Sequence, residues 1–119
     1  MRLVAVVDDD ELMRGALQGL LREAGLSTQT FASGEEFLSS GAQILASCLL
    51  ADIRMPGMSG LELLARLKAD EIRIPIIFIT AHHQERIRLQ GLRSGSADIL
   101  AKPFDDEVLL RSVRAALEL

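Results

Sequence analysis

A chain of 119 residues, 49% hydrophobic and 25% charged, has the balance of one globular domain around one core. Its formal net charge of −4 excludes a generally basic face for nucleic acid or anionic membrane, and its single cysteine, Cys48, excludes an intrachain disulfide or a cysteine-built metal cluster. Leu3 to Val7 is too short for a signal peptide and no run approaches a membrane span, so a soluble, unprocessed chain in a reducing cytoplasm is expected.

The run Leu3–Val7 reads as a strand and passes straight into Asp8-Asp9-Asp10-Glu11. Four adjacent acids repel unless a cation or water offsets them. Asp10 and Glu11 stand where a helix begins, a place the helix dipole favours for acids. Met13, Ala16, Leu17, Leu20, Leu21 and Ala24 then form one helical stripe, with Gly25 as its stop. A weaker strand follows at Ser27–Phe31. Ser33 and Glu36 have capping-box spacing ahead of a short helix marked by Phe37 and Leu38.

The third strand, Ser47–Ala51, contains Cys48, which reads as a small buried hydrophobe rather than a redox sensor. Asp52 stands at its end. Ser59 and Glu62 repeat the capping box before a helix with Leu61, Leu64, Ala65 and Leu67. The fourth strand, Ile74–Ile79, leads to Thr80. His82 and His83, being adjacent, point in different directions, make a poor metal pair and read as helix-entry residues. Ile87, Leu89 and Leu92 mark a fourth helical segment, in which Gly91 costs about 1 kcal/mol relative to alanine and favours local looseness. The fifth strand, Ala97–Ala101, precedes Lys102, and Val108, Leu109, Val113, Ala116 and Leu117 give the last helix.

Continuous apolar strands suit a parallel sheet covered on both faces, and five strand–helix alternations predict a doubly wound α/β fold over residues 1–119. In such folds the site lies beyond the carboxyl ends of the strands. Asp8 and Asp9, Asp52, Thr80 and Lys102 follow four of those strands and should converge at one edge. Alone, each has a bland reading: a solvated helix start, a turn aspartate, strand filler, a surface lysine. Together they make an acidic pocket with one cationic neighbour. Hard oxygen ligands with room for water suit Mg²⁺, so the acids are expected to hold a divalent cation.

The segments "VVDDDELMR", "ADIRMPGMSGLELL", "IPIIFITAH" and "ADILAKPFDDEVLL" resemble the receiver domain of two-component response regulators over essentially the whole chain, most closely regulators of the nitrogen-fixation or nitrate-response type. The resemblance implies a flavodoxin-like sheet of order 2-1-3-4-5. It also implies Asp52 as phosphoacceptor and Asp8 and Asp9 as metal-binding acids, Asp9 the more direct, with the backbone carbonyl of Arg54 completing the protein ligands. Thr80 and Lys102 would contact the phosphoryl group, together with a backbone N–H such as that of Ala81. A cis Lys102–Pro103 peptide is implied as well. The phosphodonor would be a phosphohistidine on a sensor histidine kinase or phosphotransfer protein, or a small acyl phosphate. A face built from the fourth helical segment, the fifth strand and the fifth helix is the candidate surface for homodimerisation. Direct nucleic acid or membrane binding is not expected of this domain.

Two departures from the family pattern bear on the switch. Ile99 stands three residues before Lys102, where an aromatic is usual, and the chain has no Tyr or Trp. Thr80 and Ile99 are the switch positions, and with no ring to swing the signal is expected to travel mainly as a shift of the backbone after the fourth strand and of the helical segment with Gly91. Arg54 and His82 occupy positions that tune dephosphorylation in the family.

The rival reading is a phosphohydrolase of the haloacid dehalogenase type with Asp8 as nucleophile, since "DDDEL" loosely matches its D-x-D motif. Leu12 occupies the usual Thr or Val position, and the core is short for that fold. A flavodoxin is the third reading, but the loop after the first strand lacks a Ser/Thr-rich phosphate cradle and no Trp or Tyr can stack a flavin.

Overall fold

A computed structural model describes residues 2–81 and 96–118. The fourth helical segment expected from the sequence, with His82, His83 and Gly91, lies outside the described residues. Among the described residues there are five strands: β1 (Leu3–Val7), β2 (Ser27–Phe31), β3 (Ala46–Asp52), β4 (Ile76–Thr80) and β5 (Ser96–Ala101). They form one parallel sheet in the order β2-β1-β3-β4-β5. The described helices are α1 (Glu11–Glu23), α2 (Gly34–Ser40), α3 (Ala42–Leu45), α4 (Gly60–Ala69) and α5 (Asp106–Ala116). Among them, none is long and apolar enough to cross a membrane.

Strand alternation divides the core in two. Val4, Val6, Cys48, Leu50, Ile77, Ile79 and Leu100 point to one face, where they meet Leu17 and Leu21 of α1 and Leu109 and Val113 of α5. Ala5, Val7, Leu49, Ala51, Phe78 and Ile99 point to the other, against Phe37 of α2 and Leu63, Leu64 and Leu67 of α4. Both faces are covered, which is why the strands read as unbroken apolar runs. Phe31 and Phe37 meet edge-on, ring centroids 5.3 Å apart, and close the sheet's outer edge.

The helix ends follow their sequence signals with two differences. Asp10 caps α1, its carboxylate accepting the N–H groups of Leu12 and Met13, and Gly25 turns the chain away at φ +83°. At α4 the capping box is reciprocal: Ser59 accepts the Glu62 N–H, and Glu62 accepts the Ser59 N–H. At α2 only half of it forms. Ser33 accepts the Glu36 N–H, while the Glu36 carboxylate takes the N–H of Ala32 at 3.4 Å. The second difference is α3, one helical turn that carries no apolar periodicity of its own. It starts at Gly41, whose φ of +78° lets the chain reverse after α2. The Lys102–Pro103 peptide is cis.

Candidate functional site

The carboxyl ends of β1, β3, β4 and β5 bring Asp8, Asp9, Asp52, Thr80 and Lys102 to one edge of the sheet. Asp8 continues the β1 ladder, its N–H donating to the Phe31 carbonyl at 3.1 Å, and so is drawn to 1% exposure. Asp9 is one residue further on and exposed. Asp52 is the last residue of β3, pairs in register with Ile79 and is half-buried. Thr80, the last residue of β4, is buried, and its carbonyl accepts the Lys102 N–H at 2.7 Å. That bond sets where Lys102 leaves the sheet.

Ligand oxygens of Asp8, Asp9 and Asp52 all lie within 4.8 Å of one another. Lys102 Nζ reaches into this cluster, 3.2 Å from Asp52 Oδ2 and 3.6 Å from Asp8 Oδ2. Backbone donors supply the remaining order. Asp8 Oδ1 accepts the Asp10 N–H at 2.9 Å, and Asp52 Oδ1 accepts the Arg54 N–H at 3.2 Å. Asp8 Oδ2 is buried and accepts no hydrogen bond. A buried acidic oxygen whose ammonium neighbour, Lys102 Nζ, stands beyond hydrogen-bond reach, beside two other carboxylates, is a position that a small hard cation completes, so the residues fit an Mg²⁺-type site.

The electrostatics agree with crowding. Burial pushes the Asp8 carboxyl above the usual 3.8; the Asp10 N–H and Lys102 pull it back, and the charges of Asp52 and Asp9 add to the rise. Burial pulls the Lys102 ammonium down, but Asp52 and Asp8 together outweigh it and leave its pKa above 10.5. Lys102 therefore serves both Asp52 and Asp8.

Ile99, expected at the switch, is a core residue. It is buried in the α2–α4 layer, paired in register with Phe78. Thr80, two residues beyond Phe78, shares that face by alternation. Reading the sequence alone missed Arg14, whose guanidinium donates to the Asp8 carbonyl at 2.7 Å from the second turn of α1. Its only signal was its place one turn inside a helix that follows an acidic strand end.

The chain matches the response regulator receiver domain family over residues 4–114. It is 43% identical over 116 residues to nodulation protein W of Bradyrhizobium diazoefficiens, covering 98% of this chain and 51% of that protein. It is 40% identical over 114 residues to the transcriptional regulatory protein FixJ of Azorhizobium caulinodans, covering 96% of this chain and 54% of that protein. The solved structure of the response regulator StyR superposes with a TM-score of 0.90 at 40% identity, over 98% of this chain and 59% of that one. The chain thus spans about half the length of the curated relatives it matches. These matches lend no support to the phosphohydrolase reading.

Proposed function

Because the chain belongs to the response regulator receiver domain family, we propose that it is a phosphorylation switch in which Asp52 accepts the phosphoryl group. The observation that carries the reading is Lys102 Nζ, 3.2 Å from Asp52 Oδ2 inside a cluster of three carboxylates. An ionised carboxylate attacks phosphorus without a general base. One Asp52 oxygen forms the new P–O bond as the P–N bond to a donor histidine, or the P–O bond to an acyl group, breaks. The leaving group departs with the electron pair: a donor imidazole that carries a proton on its other ring nitrogen leaves neutral, and an acyl group leaves as the free carboxylate.

An anion attacking an anionic phosphoryl group needs its charge offset. Lys102 offsets part of it and turns toward the transferred oxygens. Asp8, Asp9, Asp52 and the Arg54 carbonyl would hold Mg²⁺, which supplies the rest of the neutralisation when bound. By the family resemblance Asp9 would be the more direct ligand, with Asp8 completing the acid pair. Thr80 offers its hydroxyl to a phosphoryl oxygen, and the Ala81 N–H offers a second donor. The donor is a sensor histidine kinase or phosphotransfer protein in the cytoplasm, and the surface that responds includes β5 and α5, a candidate homodimer face. In the longer relatives named as transcriptional regulators, such a face would speak to the rest of the protein.

Intact-mass measurement after incubation with acetyl phosphate and Mg²⁺ tests the assignment. The wild type should gain one hydroxylamine-labile phosphoryl group and Asp52→Asn none; equal labelling of the variant would move the nucleophile elsewhere. Thr80→Ala should still be labelled, since nucleophile and acids remain, yet lose phosphorylation-dependent association in sedimentation. Full association in that variant would overturn Thr80 as the coupling residue.

A further inference from the structure

The loop between β3 and α4 carries Arg54 and presents Asp52, and its two ends are fixed locally. The Ile53 N–H donates to the Ile79 carbonyl at 3.2 Å, and the Gly60 N–H donates to the Ile53 carbonyl at 2.9 Å. Gly60 admits no side chain there, because a Cβ would stand 2.5 Å from the Asp52 carbonyl oxygen. The middle of the loop is held from elsewhere. Glu35, in the first turn of α2, accepts the Met58 N–H on Oε2 at 3.3 Å, a contact across 23 residues of chain.

Three further observations show that the loop is built around that carboxylate. Gly57 has φ +75°, and a Cβ on it would lie 2.6 Å from Glu35 Oε2. A Cβ on Gly34, beside Glu35, would lie 3.0 Å from Met58 Sδ. The α2 terminus makes no use of Glu35 as a cap: Ser33 takes the Glu36 N–H and Glu36 turns back to Ala32. Glu35 is thus left to the loop.

We propose that Glu35 is a positioning residue for the site, strapping the middle of the β3–α4 loop onto α2 and so fixing the backbone between Asp52 and Ser59. Its effect on metal affinity rests on the receiver reading above; the strap itself does not. A loop carrying a ligating carbonyl holds a cation well only if that carbonyl is held in place, and supporting contacts of this kind tune affinity without touching the ion. A carboxylate held on the loop that follows Asp52 could also act through charge alone. Glutamine separates the two, because its amide oxygen accepts the same N–H without the charge.

The experiment measures amide hydrogen exchange of Met58 and its loop neighbours by NMR on the metal-free protein, and Mg²⁺ affinity by calorimetry. Glu35→Ala should speed Met58 exchange about tenfold and weaken Mg²⁺ about three- to tenfold, with Glu35→Gln staying within about twofold of wild type in both. Unchanged Met58 exchange in Glu35→Ala overturns the strap. Equal loss of affinity in both variants assigns the effect to charge and overturns the positioning role. Asp9→Ala is the reference: if it binds Mg²⁺ as wild type does, or wild type binds none, the metal reading falls and the exchange data decide the strap alone.

Discussion

The interior of the sheet and its carboxyl edge are made by the same strands under opposite rules. In the interior of the sheet the side chains are apolar or neutral: Val4, Val6, Leu49 and Leu50 are fully covered, and the one thiol, Cys48, is pushed up to about 12 by burial and stays neutral. One residue past β1, Asp8 is as deeply buried yet keeps a carboxylate oxygen with no hydrogen bond, against two further acids. The interior is arranged for stability. The edge stores electrostatic cost that a cation can relieve and that an added phosphoryl group redistributes toward Lys102, which is the property a switch needs, since a ligand shifts an equilibrium only through its differential interaction with the two states.

Breaking the interior should have the largest effect on stability. Phe37→Ala removes a ring of 0% exposure that packs on Phe31 and the α4 leucines, and should cost about 3–5 kcal/mol in urea unfolding followed by circular dichroism. A loss under about 1 kcal/mol would mean that the α2 layer is not the closed core described.

Removing the cation at the edge should cost less. Lys102→Met leaves Asp8 and Asp52 without the ammonium paired with both and should destabilise the metal-free protein by on the order of 1–3 kcal/mol at neutral pH. Because the folded pKa of Lys102 lies above its ordinary 10.5, its contribution is fully present below pH 10.5 and is lost as pH rises through the folded value. Unfolding curves of wild type and variant should therefore converge in strong alkali; parallel curves would show that Lys102 acts through packing rather than charge.

The smallest effect should have the opposite sign. Asp8→Asn removes a charge from the crowded cluster and should raise the metal-free melting temperature slightly. The folded pKa of Asp8 is raised, so the folded state holds this proton longer than the unfolded chain, and Asp8's contribution to wild-type stability should fall as pH rises from about 3.8 through the folded value. That decline should be shallower in Asp8→Asn. Melting curves in buffers without divalent metal test it, and a lower melting temperature in the variant would mean that Asp8's attraction to Lys102 outweighs its burial.

How much of this could be read beforehand differs by element. Where a residue's place depends on its neighbours in the chain, the sequence was sufficient: the apolar runs became β1 to β5, Ser59 and Glu62 became a reciprocal cap, and Asp8, Asp9, Asp52, Thr80 and Lys102 arrived at one edge because they end or directly follow four parallel strands. Ser33 shows the limit even of local reading, since Glu36 had the right spacing and bonded Ala32 instead. Other features were settled only by tertiary structure. Ile99 could be placed in a core layer, Arg14 on the Asp8 carbonyl, Glu35 on Met58, and Asp8 rather than Asp9 in the dry position only once strands and helices were packed. The physical reason is range: caps and strand periodicity are decided within a few residues, whereas burial and the partner of a long side chain depend on which distant segment the fold sets against it.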